Sequence, residues 1–108
     1  MQLTEANFSQ QLNTKFLVSL ADGTVELELA EVKGYRSQYE EQQGMERFSI
    51  YFQGPTELIL PQGLYSVAHE QMGSFEIFIV PIKQREAGIR YEAVFNYFRD
   101  EGSQEQEQ

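Results

Sequence analysis

The sequence predicts a mainly β fold: a small antiparallel barrel or barrel-like sandwich of six strands (range five to seven), with a short N-terminal helix. In about six short segments apolar residues alternate with polar ones, the period of strands that bury one face. Turn signals such as Asp22-Gly23 and Pro61-Gln62-Gly63 separate these segments. The 108 residues, 41% hydrophobic with eight Phe and six Tyr, are enough for one domain with one core.

We expect this organisation to place one β-barrel-like domain at residues 1–98. A long polar loop at 34–46 has no apolar period and lies at the upper end of ordinary loop lengths. An acidic tail at 99–108 contains no apolar side chain. We expect the tail to be disordered, because it has nothing to bury that would offset the entropy of ordering.

The helix is expected over residues 5–12. Thr4 is a suitable N-cap, and Leu3 before it and Phe8 four residues after it have the spacing of a hydrophobic staple. Phe8 and Leu12 share one face at a spacing of four residues. So short a helix is stable only when it docks on the rest of the protein.

The first two strands form the clearest hairpin. Apolar residues occupy every second position in 16–20 and again in 25–29, on either side of the Asp22-Gly23 turn. After Leu29 the alternation changes phase, since Ala30 and Val32 are apolar at even positions. This slip predicts a β-bulge or a strand bend near Ala30-Glu31.

Four further strands are predicted at 48–53, 64–70, 74–82 and 89–98. Between the first two, Leu58-Ile59-Leu60 is too apolar for an exposed loop, so we expect it to plug one end of the core. Pro81 lacks an amide donor and should lie at a strand end or edge.

Composition excludes several classes of function. The net charge of −9 and the pI near 4.5 argue against binding to nucleic acid or to an anionic membrane. No stretch approaches the roughly 18 apolar residues of a membrane span, and no signal peptide is visible, so we expect a cytoplasmic protein that later joins an assembled particle. The lack of Cys excludes thiolate zinc sites and cysteine nucleophiles.

No catalytic, cofactor or metal site is predicted, and we do not expect an enzyme. His69 is the single histidine, so a metal site or a histidine pair lacks its second member. Glu26 and Glu28 point the same way on one strand, which suits acid–base chemistry or a hard cation, but an exposed sheet face is polar in any case.

The most informative feature is a set of apolar residues on the outward face of the last two strands, where polar residues are expected. If Phe75, Ile77 and Ile79 face the core, the alternate residues of both strands face outward and form one patch, since strands joined by a short connection pair. The candidate interface residues are Phe78, Val80, Val94 and Phe98, with Ile82 beside them. Two covers suit this patch: the N-terminal helix, through Phe8 and Leu12, or another chain.

The favoured function is a non-enzymatic structural or interaction domain that docks onto itself or onto a larger assembly through this patch. The alternative is a small β-barrel that binds an apolar small molecule, with Leu58-Ile59-Leu60 as its lid. Six strands enclose a narrow interior that side chains usually fill, so a small-molecule ligand is disfavoured. A carboxylate-based hydrolase using Glu26 or Glu28 is a third, weaker hypothesis.

Four segments resemble a small family of bacterial domains of unknown function. They are Leu3-Thr4-Glu5-Ala6-Asn7-Phe8, Leu60-Pro61-Gln62-Gly63-Leu64-Tyr65, Phe78-Ile79-Val80-Pro81 and Arg90-Tyr91-Glu92-Ala93-Val94-Phe95-Asn96. The resemblance covers nearly the whole chain except the 34–46 loop and the tail, and it transfers no catalytic residue. It implies an accessory role in a phage-tail-like or injection-system assembly.

Overall fold

The computed structural model describes residues 3–35 and 44–98. The sheet is a closed antiparallel barrel with the strand order β1-β2-β3-β6-β5-β4, which confirms the expected barrel with a short N-terminal helix. Residues 36–43 of the predicted loop and the whole 99–108 tail lie outside the described residues. The elements are α1 (Glu5–Ser9), β1 (Lys15–Leu20), β2 (Gly23–Gly34), β3 (Met45–Gly54), β4 (Gly63–His69), β5 (Gly73–Arg85) and β6 (Gly88–Phe98).

The β1–β2 hairpin and the bulge that follows it agree with the sequence pattern. Leu20 lies opposite Gly23 at the turn. The pairing of β2 with β3 shifts register between Leu29 and Glu31. The bulge sits just beyond Glu28, where β2 stops pairing with β1, and it bends the strand so that the barrel can close.

The interior of the barrel is filled by aromatic and aliphatic side chains, and α1 adds one of them. The ring of Phe8 is fully buried and lies between 5.5 and 6.2 Å from the rings of Phe16, Phe48, Phe75 and Phe95. The helix therefore closes one mouth of the barrel from inside. The other fully or almost fully buried side chains include Phe16, Val18, Leu27, Leu29, Phe48, Ile50, Phe52, Leu60, Ile79, Ile89, Tyr91 and Ala93.

The helix is shorter than predicted. Thr4 caps it as expected, since the Asn7 backbone N–H donates to the Thr4 hydroxyl at 3.1 Å. The helix ends at Ser9, and Asn13 has a left-handed φ of 68°. Its backbone N–H donates to the Leu29 carbonyl at 2.8 Å, which turns the chain onto β2 and leaves Leu12 partly exposed.

The expectation for Leu58-Ile59-Leu60 is wrong for two of its three residues. Leu60 is buried, but Leu58 and Ile59 are exposed. The Tyr91 hydroxyl accepts a hydrogen bond from the Leu60 backbone N–H at 2.9 Å and donates to the Leu58 carbonyl at 3.4 Å. These bonds hold the backbone of the segment against the barrel, so only one of its side chains turns inward.

Pro81 lies inside β5 rather than at a strand end, opposite Tyr91 on β6 and beyond Ile79, where the pairing of β5 with β4 ends, so it has a paired strand on one side as expected for an edge position. The pairing of β5 with β6 shifts register between Pro81 and Lys83. An edge and a bulge are both places in a sheet where a missing amide donor is tolerated, and Pro81 has both. Within residues 3–35 and 44–98 there is no helix of the length and apolarity needed to cross a membrane.

Candidate interaction surface

The outer face of β5 and β6 exposes large apolar side chains, as the alternation predicts. Phe78, Val94 and Phe98 expose 52%, 64% and 66% of their surface, whereas Val80 is half-buried. The residues that alternate with them face the core: Ile77, Ile79 and Ala93 are buried, and Phe75, Phe95 and Tyr97 pack against the core. Exposed side chains of this size on adjacent strands are typical of an interaction site.

The N-terminal helix does not cover this surface. The prediction that the helix could cover the surface through Phe8 and Leu12 is wrong, because Phe8 packs inside the barrel and Leu12 is exposed. Periodicity shows that a helix has an apolar face, but it does not show on which side of the sheet that face packs. Phe78, Val94 and Phe98 therefore remain accessible on the described surface.

Sequence reasoning missed Leu64, which extends the surface onto β4. Leu64 lies directly opposite Phe78 in the β4–β5 pairing and exposes 63% of its surface. The sequence contains a signal for this exposure, since Leu64 alternates with Tyr65 and Val67, which face inward. Leu64, Phe78, Val94 and Phe98 are called the outer apolar surface below.

Beside this surface, the outer face of β2, β3 and β6 is held by a polar network. The Arg90 guanidinium lies 4.4 Å from the centre of the Tyr51 ring and donates to Glu31 at 2.6 Å. The Tyr51 hydroxyl donates to Glu92 at 3.0 Å. These contacts tie three adjacent strands together.

Tyr35 extends this network, and the buried Ser49 hydroxyl lies beside it. The hydroxyls of Tyr35 and Tyr51 are 3.3 Å apart. The Ser49 hydroxyl, buried beside them, lowers the pKa of Tyr35, and the Tyr51 hydroxyl lowers it further. The pKa of Tyr51 is raised, chiefly by its hydrogen bond to Tyr35 and then by burial. Among the buried side-chain oxygens of the described residues, Ser49 Oγ is the one that makes no well-formed hydrogen bond.

His69 has a structural environment. Its Nδ1 accepts hydrogen bonds from the backbone N–H groups of Gln71 and Met72, at 2.9 and 3.1 Å. This assigns the proton to Nε2, which lies 2.8 Å from the Thr14 hydroxyl. The ring also packs 4.2 Å from that of Phe16, and burial lowers the pKa of His69.

Glu26 and Glu28 lie on the outside of the barrel. Glu28 forms an exposed ion pair with Lys15 at 3.9 Å. An open depression of about 320 Å³ beside the two carboxylates is lined by Lys15, Gln53 and Pro55, among others. Among the described residues, no group of three or more His, Cys, Asp or Glu side chains has the geometry to hold a metal ion.

The fold and surface define a class: a small closed antiparallel barrel with a side-chain-filled interior, a helical plug and an apolar outer surface. The chain belongs to the family described as Domain of unknown function (DUF6916), which matches residues 3–95. This confirms the resemblance to a domain family of unknown function. No curated protein and no solved structure matches the chain.

Proposed function

We propose that the protein is a non-enzymatic structural or interaction domain that docks onto a protein partner through the outer apolar surface. The observation that carries the proposal is the exposure of Phe78, Val94 and Phe98 on two adjacent strands, with Leu64 beside them. Leaving these side chains in water costs free energy that a protein partner would recover on binding. Val80, two residues after Phe78 on β5, is half-buried.

The interior supports docking over the alternative of an apolar ligand. Side chains from all six strands and from Phe8 occupy the centre of the barrel. The Leu58-Ile59-Leu60 segment, considered as a lid, is held by hydrogen bonds to Tyr91 rather than free to open. No observation on the described residues favours an internal ligand.

The resemblance described in the sequence analysis supports a proposal about the assembly in which this docking takes place. We place the partner in a phage-tail-like assembly of a bacterial cell, to which the domain attaches after synthesis in the cytoplasm. The net charge of −9 fits this setting, because it keeps the free domain soluble and separate until a matching surface is met.

The test compares one variant of the outer apolar surface with one matched control. Phe78→Ser and Leu17→Ser each remove a large, partly exposed apolar side chain from the outer face of a strand. Light scattering after size exclusion measures self-association, and affinity capture from the producing cell identifies partners by mass spectrometry.

We expect Phe78→Ser, and not Leu17→Ser, to abolish a defined assembly seen with the unaltered protein. A strictly monomeric protein whose captured partners are unchanged by Phe78→Ser would contradict the proposal. Circular dichroism of both variants must show an unchanged fold, since both positions are on the surface.

A further inference from the structure

The turn between β4 and β5 is held by the side chain of His69. The backbone N–H groups of Gln71 and Met72 both donate to Nδ1 of His69, at 2.9 and 3.1 Å. His69 lies opposite Gly73 at the end of the strand pairing, so residues 70–72 form the turn. An imidazole nitrogen accepts hydrogen bonds only while it carries no proton. The conformation of this turn therefore requires a neutral ring.

The other ring nitrogen of His69 makes a contact that survives protonation. Nε2 lies 2.8 Å from the Thr14 hydroxyl, which donates its own proton to the Gln11 carbonyl at 2.7 Å. The hydroxyl oxygen therefore accepts from Nε2–H, and Nε2 carries a proton in both the neutral and the charged ring. Adding a proton to Nδ1 consequently breaks the bonds to the turn and keeps the bond to the connection between α1 and β1.

This turn keeps a core side chain in place. Met72 is buried and belongs to the hydrophobic core, although Gln71 before it and Gly73 after it are exposed. The ring of His69 packs 4.2 Å from that of Phe16, another member of the core. Because Met72 lies between the end of β4 and the start of β5, its burial depends on the turn conformation that Nδ1 fixes.

The charged groups around the ring come from three elements. Burial lowers the pKa of His69, and the carboxylate of Glu70, which follows it in the turn, opposes this lowering. Lys15 of β1 and Glu26 of β2 line an open depression together with His69 and Glu70. The connection at 10–14 contains no ionisable side chain. Burial is the larger effect, so the closed turn favours the neutral ring.

From this geometry we propose that His69 is a pH-sensitive switch that opens one end of the barrel. A proton on Nδ1 releases the turn at 70–72 and the side chain of Met72, while the ring stays bound to Thr14. This switch acts independently of docking through the outer apolar surface. The open turn leaves the ring in water, where its ordinary pKa is 6.5. Because the pKa of the closed form is lower, the ratio of open to closed forms rises by up to about tenfold for each pH unit below 6.5, until the closed form is protonated as well.

The experiment measures the release of Met72 by its oxidation in the full chain. Dilute hydrogen peroxide converts an accessible Met into its sulfoxide, and peptide mass spectrometry gives the rate at each position, at about pH 7.5 and at about pH 5. Met45, half-buried on β3, is the internal reference because it lies outside the turn. His69→Asn is the matched variant, since the Asn side-chain oxygen accepts bonds from nearby backbone N–H groups and does not titrate.

We expect the oxidation of Met72, relative to that of Met45, to accelerate about tenfold from the higher to the lower pH in the unaltered protein and to stay constant in His69→Asn. Circular dichroism should show that the β structure is retained at both pH values. Four results overturn the switch: an unchanged rate at Met72, equal acceleration at Met45, the same acceleration in His69→Asn, or loss of the β structure at the lower pH.

A second measurement needs no variant and decides the matter if His69→Asn does not fold. Because His69 is the single histidine, NMR of its ring nitrogens reports its tautomer and its protonation without overlap. We expect the Nε2–H tautomer at about pH 7.5, and we expect the amide signals of Gln71 and Met72 to shift with the same midpoint as the ring. A proton on Nδ1 at the higher pH, or amide signals that stay constant while the ring titrates, overturns the switch.

Discussion

At the scale of single residues, His69 links three parts of the chain. It binds the β4–β5 turn through Nδ1 and Thr14 through Nε2, and the Thr14 hydroxyl donates in turn to the Gln11 carbonyl at 2.7 Å. Protonation of Nδ1 would replace an acceptor with a donor and break the bonds to the turn. The ring is therefore held neutral, consistent with the lowering of its pKa by burial.

The stability of the protein should consequently depend on pH through His69. Because the folded pKa lies below the unfolded value of 6.5, the contribution is complete above pH 6.5 and is lost as the pH falls towards the folded pKa. We expect the free energy of unfolding, measured with urea, to decrease between about pH 7.5 and about pH 5.5. In His69→Asn this dependence should disappear, and a wild-type curve that is flat or rises on acidification would contradict the assignment.

A second residue-scale prediction concerns Tyr91. Its hydroxyl accepts a hydrogen bond from the buried backbone N–H of Leu60 and donates one to the carbonyl of Leu58, and burial raises the pKa of Tyr91. Tyr91→Phe leaves the Leu60 N–H without its partner, so we expect a loss of about 1–3 kcal/mol in the free energy of unfolding.

The control is Tyr65→Phe, which removes an exposed hydrogen bond of 2.6 Å to the Pro61 carbonyl. Water replaces that partner, so a loss of about 1 kcal/mol or less is expected. Equal losses for the two substitutions in chemical denaturation would show that Tyr91 does not hold the 58–60 segment.

At the scale of elements, the helix acts through one side chain. Phe8 fills the mouth of the barrel, so Phe8→Ala should destabilise the protein by about 3–5 kcal/mol. Leu12→Ala, four residues along the predicted helical face, should change stability by about 0.5 kcal/mol or less, because Leu12 is partly exposed. Thermal and urea unfolding of the two variants measure this difference. Similar losses of stability for Phe8→Ala and Leu12→Ala would contradict the role of Phe8 in closing the barrel.

The β5–β6 hairpin depends on Gly88. Its φ is +148°, and a Cβ there would meet the Gly54 carbonyl oxygen, which is backbone and does not move aside. We expect Gly88→Ala to cost about 2 kcal/mol or more. Gly73→Ala, at φ +82° with open space around it, should cost about 1 kcal/mol. A reversed order in chemical denaturation would contradict this.

The positions of elements whose two faces differ in polarity could be predicted from the sequence. Alternation and the Asp22-Gly23 turn located the first hairpin, and the phase change after Leu29 located the bulge. The end of the helix at Ser9 was not predictable, because the segment that follows it is held by a hydrogen bond from the Asn13 backbone N–H to the Leu29 carbonyl, a partner distant in sequence. For the same reason, hydrogen bonding to Tyr91 left Leu58 and Ile59 exposed despite their hydrophobicity.

At the scale of the whole molecule, the closed sheet divides apolar residues into two sets. One set, with Phe8 and the inward-facing strand residues, forms the core, and the other lies on the outer apolar surface. The outward residues Phe78, Val94 and Phe98 were identified from alternation alone. That α1 does not cover them is visible only in the structure, where Phe8 points into the barrel.

Site-specific photo-cross-linking in the producing cell tests docking through the outer apolar surface most directly. Benzoylphenylalanine replaces Phe78 in one variant and Leu17, on the outer face of β1, in the other. If the outer apolar surface is the docking site, a discrete cross-linked product forms from position 78 and none from position 17. Cross-linking of equal strength at both positions, or at neither, would contradict it.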